Sequence, residues 1–228
     1  MGRSEQGNAI YKTLIACDSG GSDRTTKATG RSIGKKEYFL GKLEIEAKNN
    51  GTWIENIYEI ADEAIAKGQE NEVYLAKDGK NVIKVNNLSI AKEENTLDDF
   101  IDRLSAHNEL FPDIPYKIVG FTENSLGEVS VVLEQPYVKN STYASQEEIN
   151  SYMESRGFDM GEYDDEWHNK DYKLWDVDPK NVLKDKNGNL YFIDTVVNHA
   201  SNTSELFQMF CKSKEITICI LEKNSYFR

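Results

Sequence analysis

Asp176-Val177-Asp178-Pro179-Lys180-Asn181-Val182-Leu183, followed past Asn187-Gly188 by Ile193-Asp194, is the stretch whose reading decides the fold. An Asp and an Asn five positions apart bracket a proline-bearing loop that enters an apolar run. A second run, Leu190–Ile193, returns after Asn-Gly, the pair that favours a two-residue hairpin turn. Asp176 can orient or deprotonate a hydroxyl, and the amide oxygen of Asn181 can ligate magnesium. Asp194 stands where a strand leaves the sheet, a position suited to a hard cation bridging phosphate oxygens. Each feature alone is common; their order along the chain gives them weight.

Upstream, Gly68-Gln69-Glu70-Asn71-Glu72-Val73-Tyr74 reads as a turn opening a strand, where a residue without a side chain lets backbone approach phosphates closely. Val82-Ile83-Lys84 lies on the return strand of a hairpin over Glu72–Ala76 and Asn81–Val85, closed by Asp78-Gly79. Lys84 is either a phosphate-neutralising cation or an exposed strand lysine. A helix is expected from about Glu94 to Leu110, with Leu97, Phe100, Ile101 and Leu104 as its buried stripe, ending before Pro112 and Pro115. Strands over Tyr116–Thr122 and Val129–Glu134 follow, joined around Asn124–Gly127. Thr52 and Glu55 have capping-box spacing, which predicts a helix running on through Ile65. Leu43, Ile45 and Ala47 alternate as a short strand would.

These elements predict an α+β fold in three parts: a flexible polar leader over residues 1–42, a sheet-plus-helix lobe over 43–135, and a reduced second lobe over 136–228 with a helix near Gln146–Ser155. In the leader, Gly30–Lys35 has one residue too few for a phosphate loop, and Gln6 fails the myristoylation pattern begun by Gly2.

With 228 residues, 39% hydrophobic and 29% charged, the chain suits a soluble globular protein, and it has no apolar window long enough to span a membrane. The N-terminus lacks a secretory signal and Cys17, Cys211 and Cys219 have no paired spacing, so a reduced cytoplasmic setting is expected. The net charge of −12 divides into +3 over residues 1–50 and −15 over the remainder, which disfavours a nucleic-acid partner.

Taken together, the glycine turn, the strand lysine, the segment Glu134–Val138, the Asp-x-x-x-x-Asn loop and Asp194 resemble the protein-kinase-like fold over roughly Ile65 to Asn198. The resemblance implies two lobes, the first a mostly antiparallel sheet with one helix and the second reduced. The glycine turn looks like that of atypical RIO-type kinases. Val182-Leu183 through Ile193-Asp194-Thr195 is similar to the catalytic segment of those kinases and of aminoglycoside phosphotransferases. With the runs at His107–Pro112 and Tyr116–Phe121, the whole resembles the small kinase domain of polyvalent proteins of phages and mobile elements.

That resemblance implies ATP and Mg²⁺ as cofactors. Gly68, Gln69, Glu70 and Val73 would cover the nucleotide, Lys84 would pair its phosphates, and Glu134, Gln135, Tyr137 and Val138 would form the hinge at adenine. Asp176 would be the catalytic aspartate, and Asn181 and Asp194 the metal ligands. The acid orienting Lys84 would be Asp102, with Glu94 and Glu109 as competitors. Leu174-Trp175 and Thr195-Val196 depart from typical protein kinases, and only 34 residues follow Asp194, so the resemblance implies a protein-substrate platform that is minimal, built differently or supplied by a partner chain. The implied activity is transfer of a γ-phosphate to a protein hydroxyl. The alternatives are a nucleotide-binding scaffold and a small-molecule kinase whose cationic acceptor meets Asp159–Glu166.

Other residues take plainer readings. His107, His168 and His199 lack metal-ligand spacing and read as polar packing or surface residues. The acidic run reads as a solvated loop, the tryptophans as core anchors, and Ile216–Leu221 as a buried closing segment.

Overall fold

The computed structural model describes residues 3–18, 35–88 and 97–200. Glu94, Cys211, Cys219, the Gly30–Gly34 run and the expected closing segment Ile216–Leu221 lie outside the described residues. The chain forms two compact units, the first holding the described residues up to Leu88 together with Lys117–Glu134, the second Leu97–Tyr116 and Gln135 to Ala200.

The first unit opens with two helices, α1 (Arg3–Asp18) and α2 (Lys35–Asn49), where the sequence suggested an irregular leader and a strand at Leu43. Ala9, Ile10, Thr13 and Cys17 are buried at helical spacing. Leu43 and Ala47 are fully buried while Ile45 between them is 60% exposed, so the period is that of a helix and the strand reading is corrected. A five-stranded antiparallel sheet follows, formed by β1 (Ala61–Lys67), β2 (Asn71–Ala76), β3 (Asn81–Asn86), β4 (Lys117–Glu123) and β5 (Val129–Pro136), in the order β1-β2-β3-β5-β4.

The helix expected from Thr52 to Ile65 is also corrected. Asn50-Gly51 ends α2, with Gly51 at φ 67, and Thr52 N–H closes on Ala47 O at 2.9 Å. Residues 52–54 then pair with the edge strand β4: Phe121 N–H donates to Thr52 O at 2.9 Å and Ile54 N–H to Phe121 O at 2.7 Å. Gly120 permits this approach, because a Cβ there would lie 2.6 Å from Thr52 O. Only a short 3-10 turn, Ile57–Glu59, remains helical before β1. The apolar residues of this stretch, Ile54, Ile57 and Ile60, pack on the sheet core of Ala61, Tyr74, Ile83, Val85, Val119 and Val132.

The second unit contains α3 (Leu97–Leu110), β6 (Thr142–Tyr143), α4 (Gln146–Ser155), β7 (Asp159–Met160), β8 (Trp167–His168), β9 (Tyr172–Trp175), β10 (Val182–Lys184), β11 (Leu190–Phe192) and β12 (Val196–His199). Two small antiparallel sheets result, β11-β10-β6 and β12-β9-β8-β7. Both expected hairpins form, on loops longer than two residues: Lys184 pairs with Leu190 and, in the first unit, Leu75 with Val82, with Gly188 at φ 86 and Gly79 at φ 63 in the left-handed region. The α4 capping box of Ser145 and Glu148 is present, worth about 1 kcal/mol. Ile149, Met153, Trp167, Leu174, Val182 and Phe192 build the core of this unit. Trp167 is a core anchor, whereas Trp175 is 37% exposed and is not.

Candidate active site

Strands β9 and β12 form one antiparallel ladder with Val196 opposite Trp175. Asp176 therefore leaves the first strand where Asp194 and Thr195 lead into the second. Asp176 holds φ 56, a left-handed conformation that costs a non-glycine residue about 1 kcal/mol and that Asp tolerates better than most. A 3-10 turn, Pro179–Asn181, capped by the Asp178 side chain on Lys180 N–H, folds the chain back. Asn181 is then buried, and its Nδ2 donates to Asp176 O at 2.9 Å. Ile193 N–H donates to Asn181 O at 2.9 Å. Three positions that the sequence separates by up to 17 residues are thus joined by two hydrogen bonds.

The carboxylate of Asp176 meets Lys180 Nζ at 3.2 Å, and Asp178 lies 3.8 Å from the same ammonium. Hydrogen bonding to Asp176 and the field of both acids raise the Lys180 pKa above its ordinary value. Val177 N–H donates to Asp165 O at 3.1 Å, so the exposed acidic loop lies beside the Asp176 segment.

Helix α3 and the residues after it brace the strand end that carries Asp194. Buried His107 meets Phe192 O at 2.9 Å through Nε2; a carbonyl only accepts, so this nitrogen carries a proton. Tyr116 OH donates to Ile193 O at 2.6 Å. Downstream, His199 Nδ1 pairs with Asp102 Oδ1 at 2.7 Å and Nε2 with Glu109 Oε2 at 3.3 Å. These contacts, the Asp102 bond first, push the His199 pKa up to about 9, so it is a cation at neutral pH. Asp102 and Glu109, two of the three acids considered for Lys84, thus share His199 as a cationic partner.

In the first unit, Lys84 is 4% exposed and pairs across the sheet with Val73. The two residues share the face of the β2–β3 ribbon opposite to Ile83 and Val85. Lys84 is therefore no exposed strand lysine. The turn of Gly68, Gln69 and Glu70 is held from behind: Gly68 N–H donates to Asn71 O at 2.8 Å, Asn87 N–H to Glu70 O at 3.0 Å, and Asn87 Nδ2 to Gln69 O at 3.0 Å. A Cβ on Gly68 would meet only Asn71 O at 3.7 Å, and Gly68 is not at positive φ. The local fold places no demand for glycine there. Below the turn, buried Glu72 accepts from Lys67, Tyr74 OH at 3.0 Å and the Ser125 hydroxyl. Burial alone would raise its pKa, but these donors hold it below the usual carboxylate range.

Of the expected hinge residues, Glu134 belongs to the first unit and meets Lys117 at 3.5 Å. Gln135 belongs to the second; it is 1% exposed and its Nε2 donates to Ile114 O at 3.1 Å. Val138 packs against the second core and Tyr137 is exposed.

The second unit fits a magnesium ion in its donor set. Donation from Asn181 Nδ2 leaves the amide oxygen as the group available to a hard cation, and Asp194 supplies a carboxylate from the adjoining strand end. The buried Oγ1 of Thr195, beside Asp194, has no hydrogen-bond partner among the described residues. No cluster of three or more His, Cys, Asp or Glu side chains able to hold a metal occurs among the described residues. Oxygen donors such as the Asn181 amide and the Asp194 carboxylate are of the kind Mg²⁺ takes, and it would complete its shell with waters and phosphate oxygens.

An antiparallel five-stranded sheet in one unit, and an Asp-x-x-x-x-Asn loop tied to Ile193 in the other, define a protein-kinase-like α+β fold. A family model described as serine/threonine/tyrosine kinase found in polyvalent proteins matches residues 36–201, and the chain belongs to that family. No curated protein matches the chain.

Sequence reasoning missed His199, Tyr116, Lys180 and Thr195. Lys180 was open to discovery, because four residues separate it from Asp176 across a Pro-initiated turn. His199 offered no local signal, since its partners lie 90 and 97 residues away.

Proposed function

We propose that the chain is an ATP-dependent, Mg²⁺-requiring phosphotransferase that moves a γ-phosphate to a hydroxyl of a protein. The observation that carries this reading is the hydrogen-bonded tie from Asp176 through Asn181 to Ile193, next to Asp194. It ties Asp176, Asn181 and Ile193 together at the end of one β-ladder, which supports roles for Asp176 as base and for Asn181 and Asp194 as oxygen ligands. Bound Mg²⁺ would neutralise phosphate charge and help hold the phosphates in line.

In this reading Asp176 orients the acceptor hydroxyl and receives its proton. The acceptor oxygen forms a bond to the γ-phosphorus as the bond from that phosphorus to the β,γ-bridging oxygen breaks, leaving ADP. Lys84 pairs the nucleotide phosphates, and its burial strengthens that attraction. The Gly68 turn supplies backbone N–H groups, which fits a glycine that the local fold does not itself require. Because the side chains of Glu134 and Gln135 are engaged with Lys117 and Ile114, the 134–138 segment would serve adenine through its backbone.

Position of the acidic loop favours a second acceptor class. Val177 N–H on Asp165 O sets this loop beside Asp176, so a cationic small molecule is the competing acceptor.

The test is thermal unfolding with and without Mg·ATP. Saturation at about 100 Kd should stabilise the parent protein by about 2.7 kcal/mol, whereas Lys84→Met should lose the shift. No shift in the parent protein contradicts the reading.

A further inference from the structure

We infer that His199 is a positioning residue for Asp194: it fastens strand β12 to helix α3 and so fixes where the strand-end carboxylate stands. This rests on the reading of Asp194 as a metal ligand. Tyr172 and His199 are partners at one end of the β9–β12 pair, and Trp175 and Val196 are partners at the other, beside Asp176 and Asp194. A slip of β12 along this ladder would move Asp194 relative to Asp176.

Three contacts oppose the slip. His199 Nδ1 meets Asp102 Oδ1 at 2.7 Å, its backbone N–H reaches Asp102 Oδ2 at 3.4 Å, and Nε2 meets Glu109 Oε2 at 3.3 Å. Asp102 and Glu109 lie seven residues apart, two turns of α3, so the imidazole bridges one face of the helix. Tyr172 completes the enclosure from β9, its OH on Glu109 Oε2 at 3.3 Å and its ring 5.5 Å from the imidazole. The His199 side chain is only 20% exposed, so its ion pairs are shielded from water more than surface pairs are.

The same helix holds the other side of Asp194, through His107 on Phe192 O at 2.9 Å. Asp194 is thereby gripped from both chain directions by α3. Asp102 and Glu109 thus hold β12 in register through His199. Outer contacts of this kind orient a metal ligand without touching the ion.

The experiment measures Mn²⁺ binding in the presence of ADP by electron paramagnetic resonance, and metal-free ADP binding by calorimetry, on the full chain. His199→Gln should weaken Mn²⁺ binding about threefold to tenfold, while metal-free ADP affinity stays within about twofold of the parent. If His199→Gln fails to fold, Glu109→Gln removes only the 3.3 Å partner and should weaken Mn²⁺ about twofold to threefold. Equal Mn²⁺ affinity in the parent protein and the folded variants overturns the inference alone. Absence of Mn²⁺ binding in the parent protein overturns the metal-ligand reading, and the inference with it.

Discussion

The Asn181 side-chain N–H donates to the backbone carbonyl of Asp176 at 2.9 Å, across a turn that begins with Asp178-Pro179. This bond makes Asn181 a structural and a chemical residue at once. Its nitrogen holds the Asp176 backbone, and its oxygen is the proposed ligand of a cation. Asp at this position would keep an oxygen ligand but lose the donor. Asn181→Asp should therefore unfold more easily by about 1–3 kcal/mol, since a buried acceptor loses its partner. Chemical denaturation measures this, and an unchanged midpoint would argue against the bond.

Asp176 sits at φ 56, where glycine is at ease. Asp176→Gly should abolish phosphate transfer yet preserve or raise stability, by up to about 1 kcal/mol. Such opposed changes mark a residue kept for chemistry rather than folding. Calorimetric melting beside an activity assay gives both values.

Gly68→Ala makes the complementary test in the first unit. Because a Cβ would meet only Asn71 O at 3.7 Å, the melting temperature should stay within about 1 °C of the parent. The KM for ATP should rise about tenfold if backbone at this turn approaches phosphate. Unchanged KM would remove Gly68 from the site.

His199 gives stability a pH dependence with a definite sign. Its folded pKa of about 9 lies above the ordinary 6.5, so its contribution is full below pH 6.5 and is lost as pH rises through 9. The charged groups facing it are Asp102 and Glu109 on α3, with the Tyr172 hydroxyl on β9. Parent protein should lose on the order of 2 kcal/mol between pH 6.5 and 9.5 relative to His199→Gln. Parallel pH profiles for the two proteins would contradict the ion pairs.

The hairpins, helices α3 and α4 and strands β2 to β5 were legible in the sequence because turn chemistry and apolar period agree there. The first helices were not. Leu43, Ile45 and Ala47 satisfy a strand period and, through Leu43 and Ala47, a helical one; only the exposure of Ile45 separates them. Thr52 offered a capping box, but Asn50-Gly51 just before it is a helix terminator, and pairing with Phe121 decided the outcome. Local signals could not see that edge strand nearly 70 residues away. At the candidate site, residue types and spacing nominated Asp176, Asn181 and Asp194, of which the fold joins Asp176 and Asn181 directly. The supports of Asp194, His107, Tyr116 and His199, come from distant positions and from tertiary packing.

The most direct measurement is transfer of label from γ-labelled ATP to protein hydroxyls, autophosphorylation included, by the parent protein, Asp176→Ala and Asp194→Ala in Mg²⁺. The account predicts incorporation by the parent and a loss of at least about a hundredfold in each variant. Equal incorporation by all three proteins would contradict it.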